Sequence, residues 1–162
     1  VQAWNREYRA NNYKAVLKQI AAQRKRRRLI DPVYVIKDRL RARLKSALKR
    51  KGAIKPDTTF RLTGCLPDKL FLRLGAVPAG CAIDHIFPFE LYNMHDPADV
   101  RRVMHYSNLQ ILTEEENRSK GTQLPTKAMA DRAMQREAWP TGITWDMLPD
   151  RYDGWVRGCA MR

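Results

Sequence analysis

Residues 82 to 89 read AIDHIFPF, with Asp84 and His85 side by side in an apolar run closed by Pro88. An imidazole whose unperturbed pKa lies near 6.5 can take a proton from water around neutral pH. A carboxylate beside it offers a hard anionic oxygen. The same pair also suits a strand end whose two polar residues find partners or face water, with no chemistry at all. Which reading holds depends on the polar residues that the fold brings to them.

The elements that must do this positioning are marked by local signals. Residues 2 to 28 lack strong breakers and place Tyr13, Val16, Leu17, Ile20 and Ala21 at helical spacing, so one helix carries the basic run RKRRR. Asp31-Pro32 reads as an N-cap followed by Pro at the first helical position. Val33, Ile36, Leu40, Leu44 and Leu48 then recur every three or four residues, and Gly52 ends the helix. A short helix is expected over PDKLFLRLG, residues 67 to 75. CAIDHIFP is a candidate strand, DPADVRRVM a helical turn and SNLQIL a second short strand. TEEENRSKG, residues 113 to 121, is a helix opened by a Thr113 and Glu116 capping box and stopped at Gly121. One more helix is expected at about 127 to 138. The last segment holds three of the four tryptophans, Trp139, Trp145 and Trp155.

A strand, connection, strand and short helix in that order bring Asn117 near Asp84 and His85, with Asn108 on the second strand between them. IDHIFP, YSNLQIL and EENRSKG together resemble the HNH nuclease motif, in the Asp-His…Asn…Asn form of phage and intron homing endonucleases and of one nuclease domain of RNA-guided effectors. The basic arm, RLRARLKSALK and a Gly-Cys before a short helix also resemble phage-encoded members. The similarity covers residues 37 to 122 well and the arm loosely, and it does not reach the last forty residues.

The resemblance implies a mostly helical α+β fold, with a small ββα-metal core at residues 53 to 122 and its motif at 81 to 121. A basic helical arm occupies residues 1 to 52, and a helical, Trp-containing tail occupies 123 to 162. It implies His85 as general base, Asp84 and Asn117 as ligands of one metal ion at the leaving 3′ oxygen, and Asn108 as the brace of the loop that orients His85. His105 and Arg118 are candidate phosphate contacts. One carboxylate, one amide oxygen, waters and a phosphate oxygen suit Mg²⁺, with Mn²⁺ as a substitute; a histidine at position 117 would favour softer metals. Products would carry 5′-phosphate and 3′-hydroxyl ends. Neighbours on a strand point to opposite faces, so both catalytic side chains reach one site only if the strand twists or ends at His85.

Charge points to the substrate. Residues 1 to 51 hold 17 Lys or Arg against three acids, while the other 111 residues hold 14 of each, so the whole net charge of +14 lies in the first third. An almost purely cationic block repels itself unless a polyanion neutralises it. Nucleic acid is the expected partner, with an anionic membrane surface as the alternative; the resemblance implies double-stranded DNA, its phosphates met by Arg24, Lys25, Arg26, Arg27, Arg28, Arg39, Arg41, Arg43, Lys45 and Lys120. The rival from another class is a non-catalytic, ribosomal-like or nucleoid-like basic protein in which Asp84 and His85 are structural.

The remaining features set bounds. With 162 residues and 44% hydrophobic composition the chain can bury a core. Its longest nearly apolar run, GAVPAGCAI, is far short of the ~20 residues of a membrane span. Cys65, Cys81 and Cys159 form no C-x-x-C pair, so reduced buried thiols are expected and no structural zinc. The polar start does not read as a signal peptide, and a cytoplasmic protein of a bacterial or phage-infected cell is expected. Val1 in place of Met leaves both a removed initiator and a longer parent chain open. Monomer and homodimer, and nicking and double-strand cleavage, are equally open.

Overall fold

The computed structural model describes residues 12–133 and 135–151. Helix α1 (Tyr13–Ile30) forms where the helical spacing predicts, and the first eleven residues lie outside those described. None of its residues is buried, and Tyr13, Leu17 and Ile20 stay exposed. Its C-terminal end is tied to the next helix by side chains. Arg27 reaches Asp31 at 3.3 Å and lies over the Tyr34 ring, while Arg28 pairs with Asp38.

Helix α2 (Pro32–Lys51) is the spine of the core. Asp31 caps it by accepting from the Tyr34 N–H at 2.8 Å, and Pro32 occupies the first turn. Ile36, Leu40, Leu44, Ala47 and Leu48 are buried along one stripe. Gly52 stops the helix at φ +65°, a left-handed conformation that costs glycine nothing.

The short helix α3 (Thr59–Thr63) was not expected from periodicity. Its opening signal is Thr58, whose hydroxyl accepts from the Arg61 N–H. It ends at Gly64, where φ is +70° and a Cβ would come within 3.1 Å of the His105 ring. Helix α4 (Pro67–Leu74) follows as the sequence predicts.

Strand β1 (Cys81–His85) and strand β2 (Leu109–Thr113) form a two-stranded antiparallel sheet, with Asp84 opposite Gln110 and His85 opposite Leu109. Between them runs helix α5 (Pro97–Met104), capped by Asp96, with Val100, Val103 and Met104 buried. Helix α6 (Glu114–Lys120) opens on the predicted capping box: the Thr113 N–H donates to Glu116 at 2.8 Å and the Glu116 N–H to the Thr113 hydroxyl at 3.1 Å. It packs on both strands, while α2 packs on β1 and α4 on β2. The chain is thus a mostly helical α+β fold around one small hairpin.

The expected helix at 127 to 138 is shorter. Helix α7 (Lys127–Ala133) is followed by a separate 3₁₀ turn, Arg136–Ala138. Trp139 packs against Phe87 of the core and beside Trp145, and Trp155 lies outside the described residues. Cys65 and Cys81 are free and half-buried rather than fully buried, and Cys159 lies outside the described residues. Among the described residues no helix is long and apolar enough to cross a membrane.

Candidate active site

The end of β1 is buried over three consecutive residues, Ile83, Asp84 and His85. Successive side chains point to opposite faces, so both faces of the hairpin are covered here. The strand ends at His85, as Pro88 suggested.

Asp84 is 3% exposed and each of its oxygens meets a cation. Arg43 of α2 lies 2.9 Å from Oδ1, and Lys120 of α6 lies 3.0 Å from Oδ2. Gln110, its cross-strand partner, donates to Oδ2 at 3.3 Å. Burial by itself favours the neutral acid, but the Lys120 ammonium, the neighbouring His85 and the Arg43 guanidinium together outweigh it and hold the carboxyl below its ordinary range. Asp84 is ionised at neutral pH.

His85 is 1% exposed and sits in a different environment. Its ring stands 4.3 Å from the Phe89 ring, and neither Nδ1 nor Nε2 has a hydrogen-bond partner among the described residues. Burial pushes its pKa down to about 3, with the Arg43 and Lys120 charges acting the same way and Asp84 opposing them in part. The imidazole is therefore neutral, with a lone pair unused. A buried polar atom without a partner costs roughly 1–3 kcal/mol, and such atoms are few in native proteins.

Asn108 fixes the chain beyond His85. It is fully buried, its Oδ1 accepts from the Phe87 N–H at 2.7 Å, and its Nδ2 donates to the carbonyls of Phe87 and Val103. Its own carbonyl accepts from the Ile86 N–H at 2.8 Å. Residues 86 and 87 are thereby clamped by Asn108, which ends the 3₁₀ turn Tyr106–Asn108 just before β2, whereas the sequence reading places it on the second strand.

Asn117 is half-buried on α6, one turn before Lys120. Residues three apart share a helix side, and Lys120 from that side reaches both Asp84 and, at 2.8 Å, the His85 carbonyl. Arg118 is exposed. The His105 Nδ1 lies 2.8 Å from the Ser107 hydroxyl and accepts from the Ser107 N–H, so this histidine caps the turn that leads to Asn108.

Three expected DNA contacts are placed elsewhere. Lys120 is 1% exposed and paired, not an outward helix charge. Arg43 is on Asp84, and Arg39, one turn earlier, donates to the Cys81 carbonyl at 2.6 Å. These two arginines bind α2 to β1. Of the other expected contacts, Arg24, Lys25, Arg26, Arg27 and Arg28 on α1 and Arg41 and Lys45 on α2 are exposed, with Arg27 and Arg28 paired to Asp31 and Asp38. Gln110 and Phe89 were not anticipated as neighbours of the pair; for Gln110 the signal was its place two residues after Asn108, opposite Asp84 in an antiparallel hairpin.

Asp84, Asn117 and phosphate or water oxygens are hard donors of the kind that Mg²⁺ takes. The donor types fit the metal, while the two cations on Asp84 oppose its charge. No group of three or more His, Cys, Asp or Glu stands together among the described residues, so such a site would draw its other ligands from water and substrate. A hollow of about 660 Å³ lies between Phe60, Arg61, Cys65, Lys69, Arg73 and Tyr106, and neither Asp84 nor His85 lines it.

Set against known proteins, the chain matches no family model, no curated protein and no solved structure. The likeness to HNH nucleases therefore rests on the quoted residues themselves.

Proposed function

We propose that the protein is a metal-dependent HNH-type endonuclease that hydrolyses phosphodiester bonds of double-stranded DNA. The observation that carries this reading is the buried His85 imidazole, neutral and without a partner on either nitrogen, next to an ionised Asp84. A structural histidine in so closed a place would be expected to use its hydrogen bonds. His85 would take a proton from the attacking water, for which its ring must become more open and more basic than it is in the structure, where burial and the Arg43 and Lys120 charges hold its pKa at about 3; Asn108 holds the loop that follows it. Asp84 and Asn117 would hold one Mg²⁺, with Mn²⁺ as a substitute; when bound it would neutralise charge on the phosphate and the leaving 3′ oxygen. The cationic faces of α1 and α2 hold the duplex by its backbone. Products carry 5′-phosphate and 3′-hydroxyl ends.

A second reading has its own support: the Arg43, Asp84 and Lys120 cluster is also what a purely structural ion-pair network looks like, within a non-catalytic nucleic-acid-binding protein. Supercoiled plasmid separates the two. Incubated with Mg²⁺ or Mn²⁺, it is nicked or linearised by the wild type and spared by chelator and by His85→Ala. Plasmid left intact across both metals, or cut equally fast by His85→Ala, rules out the nuclease.

A further inference from the structure

Resting on that nuclease reading, we infer that Arg43 is the ligand of the phosphate to be cut, held on Asp84 until DNA arrives. Three observations lead there. Arg43 and Lys120 put two positive charges on one carboxylate, so the cluster carries an excess charge that favours an anion. The two cations differ in freedom. Lys120 is 1% exposed and also anchored on the His85 carbonyl, whereas the Arg43 side chain is one-third exposed and meets Asp84 through Nη2. Arg39, one turn earlier on the same helix, fixes α2 against β1 through the Cys81 carbonyl, so Arg43 can swing without the helix leaving the sheet.

Two cations on Asp84 repel a divalent ion and crowd its approach to Oδ1, so metal binds there weakly while both hold the carboxylate. A phosphodiester supplies what Arg43 would gain on leaving. The planar guanidinium matches phosphate oxygens in a two-pronged contact, and its departure frees Oδ1. Metal and DNA then favour each other's binding through Asp84, and linkage makes that effect equal in both directions. Arg43 touches substrate in this scheme and is to that extent a catalytic residue.

The test reads Mn²⁺ binding by electron paramagnetic resonance in a His85→Ala background, so that a short duplex stays uncut, after subtraction of Mn²⁺ held by the duplex alone. The duplex is expected to tighten Mn²⁺ binding by about tenfold, within the usual range of site coupling. Adding Arg43→Gln should tighten Mn²⁺ binding without DNA by about the same factor and reduce the further effect of DNA to less than about threefold. Arg43→Lys keeps a cation that can pass from Asp84 to phosphate and guards against a misfolded Gln variant, since it should bind Mn²⁺ weakly without DNA and keep part of the coupling. Unchanged Mn²⁺ affinity in free Arg43→Gln, or tight DNA-independent Mn²⁺ binding in Arg43→Lys, overturns the inference even where wild-type protein cuts plasmid. Uncut plasmid with every metal overturns the nuclease reading and this inference with it.

Discussion

Replacing His85 by leucine should make the protein more stable, and more so in acid. The wild-type ring has two buried nitrogens without partners, each costing roughly 1–3 kcal/mol. Leucine is close in size and has no polar atom, but it forgoes the ring contact with Phe89, worth ~0.5–1.5 kcal/mol, and adds a shape mismatch of under ~1.5 kcal/mol. The balance near pH 8 centres on a gain of about 2 kcal/mol, within a span of about −1 to +5.5 kcal/mol, and each kcal/mol raises Tm by roughly 2–4 °C in a chain of this size. Acid adds a second effect of known sign. The folded imidazole protonates only at about 3, whereas the unfolded one does so near 6.5. Between those values the unfolded chain binds more protons, so wild-type stability falls as pH falls through that window. From pH 8 to pH 5 the loss from this residue is about 2 kcal/mol, and the leucine variant escapes it. Urea melts of both proteins without added metal, at pH 8 and pH 5, measure the difference, in which the titrations common to both cancel. If the two lose stability in parallel between pH 8 and pH 5, His85 is not buried in its neutral form.

Two further outcomes follow from the geometry. Asn108→Ala leaves the Phe87 N–H and the carbonyls of Phe87 and Val103 without their partner, and should cost about 3–4 kcal/mol, read as a lower urea midpoint with an unchanged slope. DNA affinity should fall steeply with salt, by about 10³ to 10⁵ between 50 and 200 mM if six to ten phosphates are met. Removing Arg24, Lys25 and Arg26 should flatten the log–log slope by about 0.9 for each phosphate no longer neutralised, whereas Arg39→Ala, whose side chain holds the Cys81 carbonyl, should lower stability and leave the slope alone; fluorescence anisotropy across a salt series distinguishes the two.

The boundaries of the elements were legible in the sequence because the signals that set them are local. Asp31 and Pro32, the Thr113 and Glu116 box, and the stops at Gly52 and Gly121 each satisfy or end backbone hydrogen bonding within a few residues, and each does so in the structure. Helix α3 was missed because five residues are too few to show a period, leaving Thr58 as its opening cue. The pairing of the two strands and the packing of the short helix on them were also legible, since connectivity alone brings these three elements together.

What each polar side chain does there was decided by the tertiary structure. Periodicity sets cations on both flanks of the α2 stripe, but only packing turns Arg39 and Arg43 onto β1 and leaves Arg41 and Lys45 in water. The sequence shows a charged helix end at Lys120; the fold buries that charge on Asp84, three residues after Asn117. Asp84 and His85 are neighbours of equal promise in the sequence. In the fold one is held charged by two cations and the other kept neutral without a partner, because burial and long-range contacts set protonation, and adjacency along the chain does not.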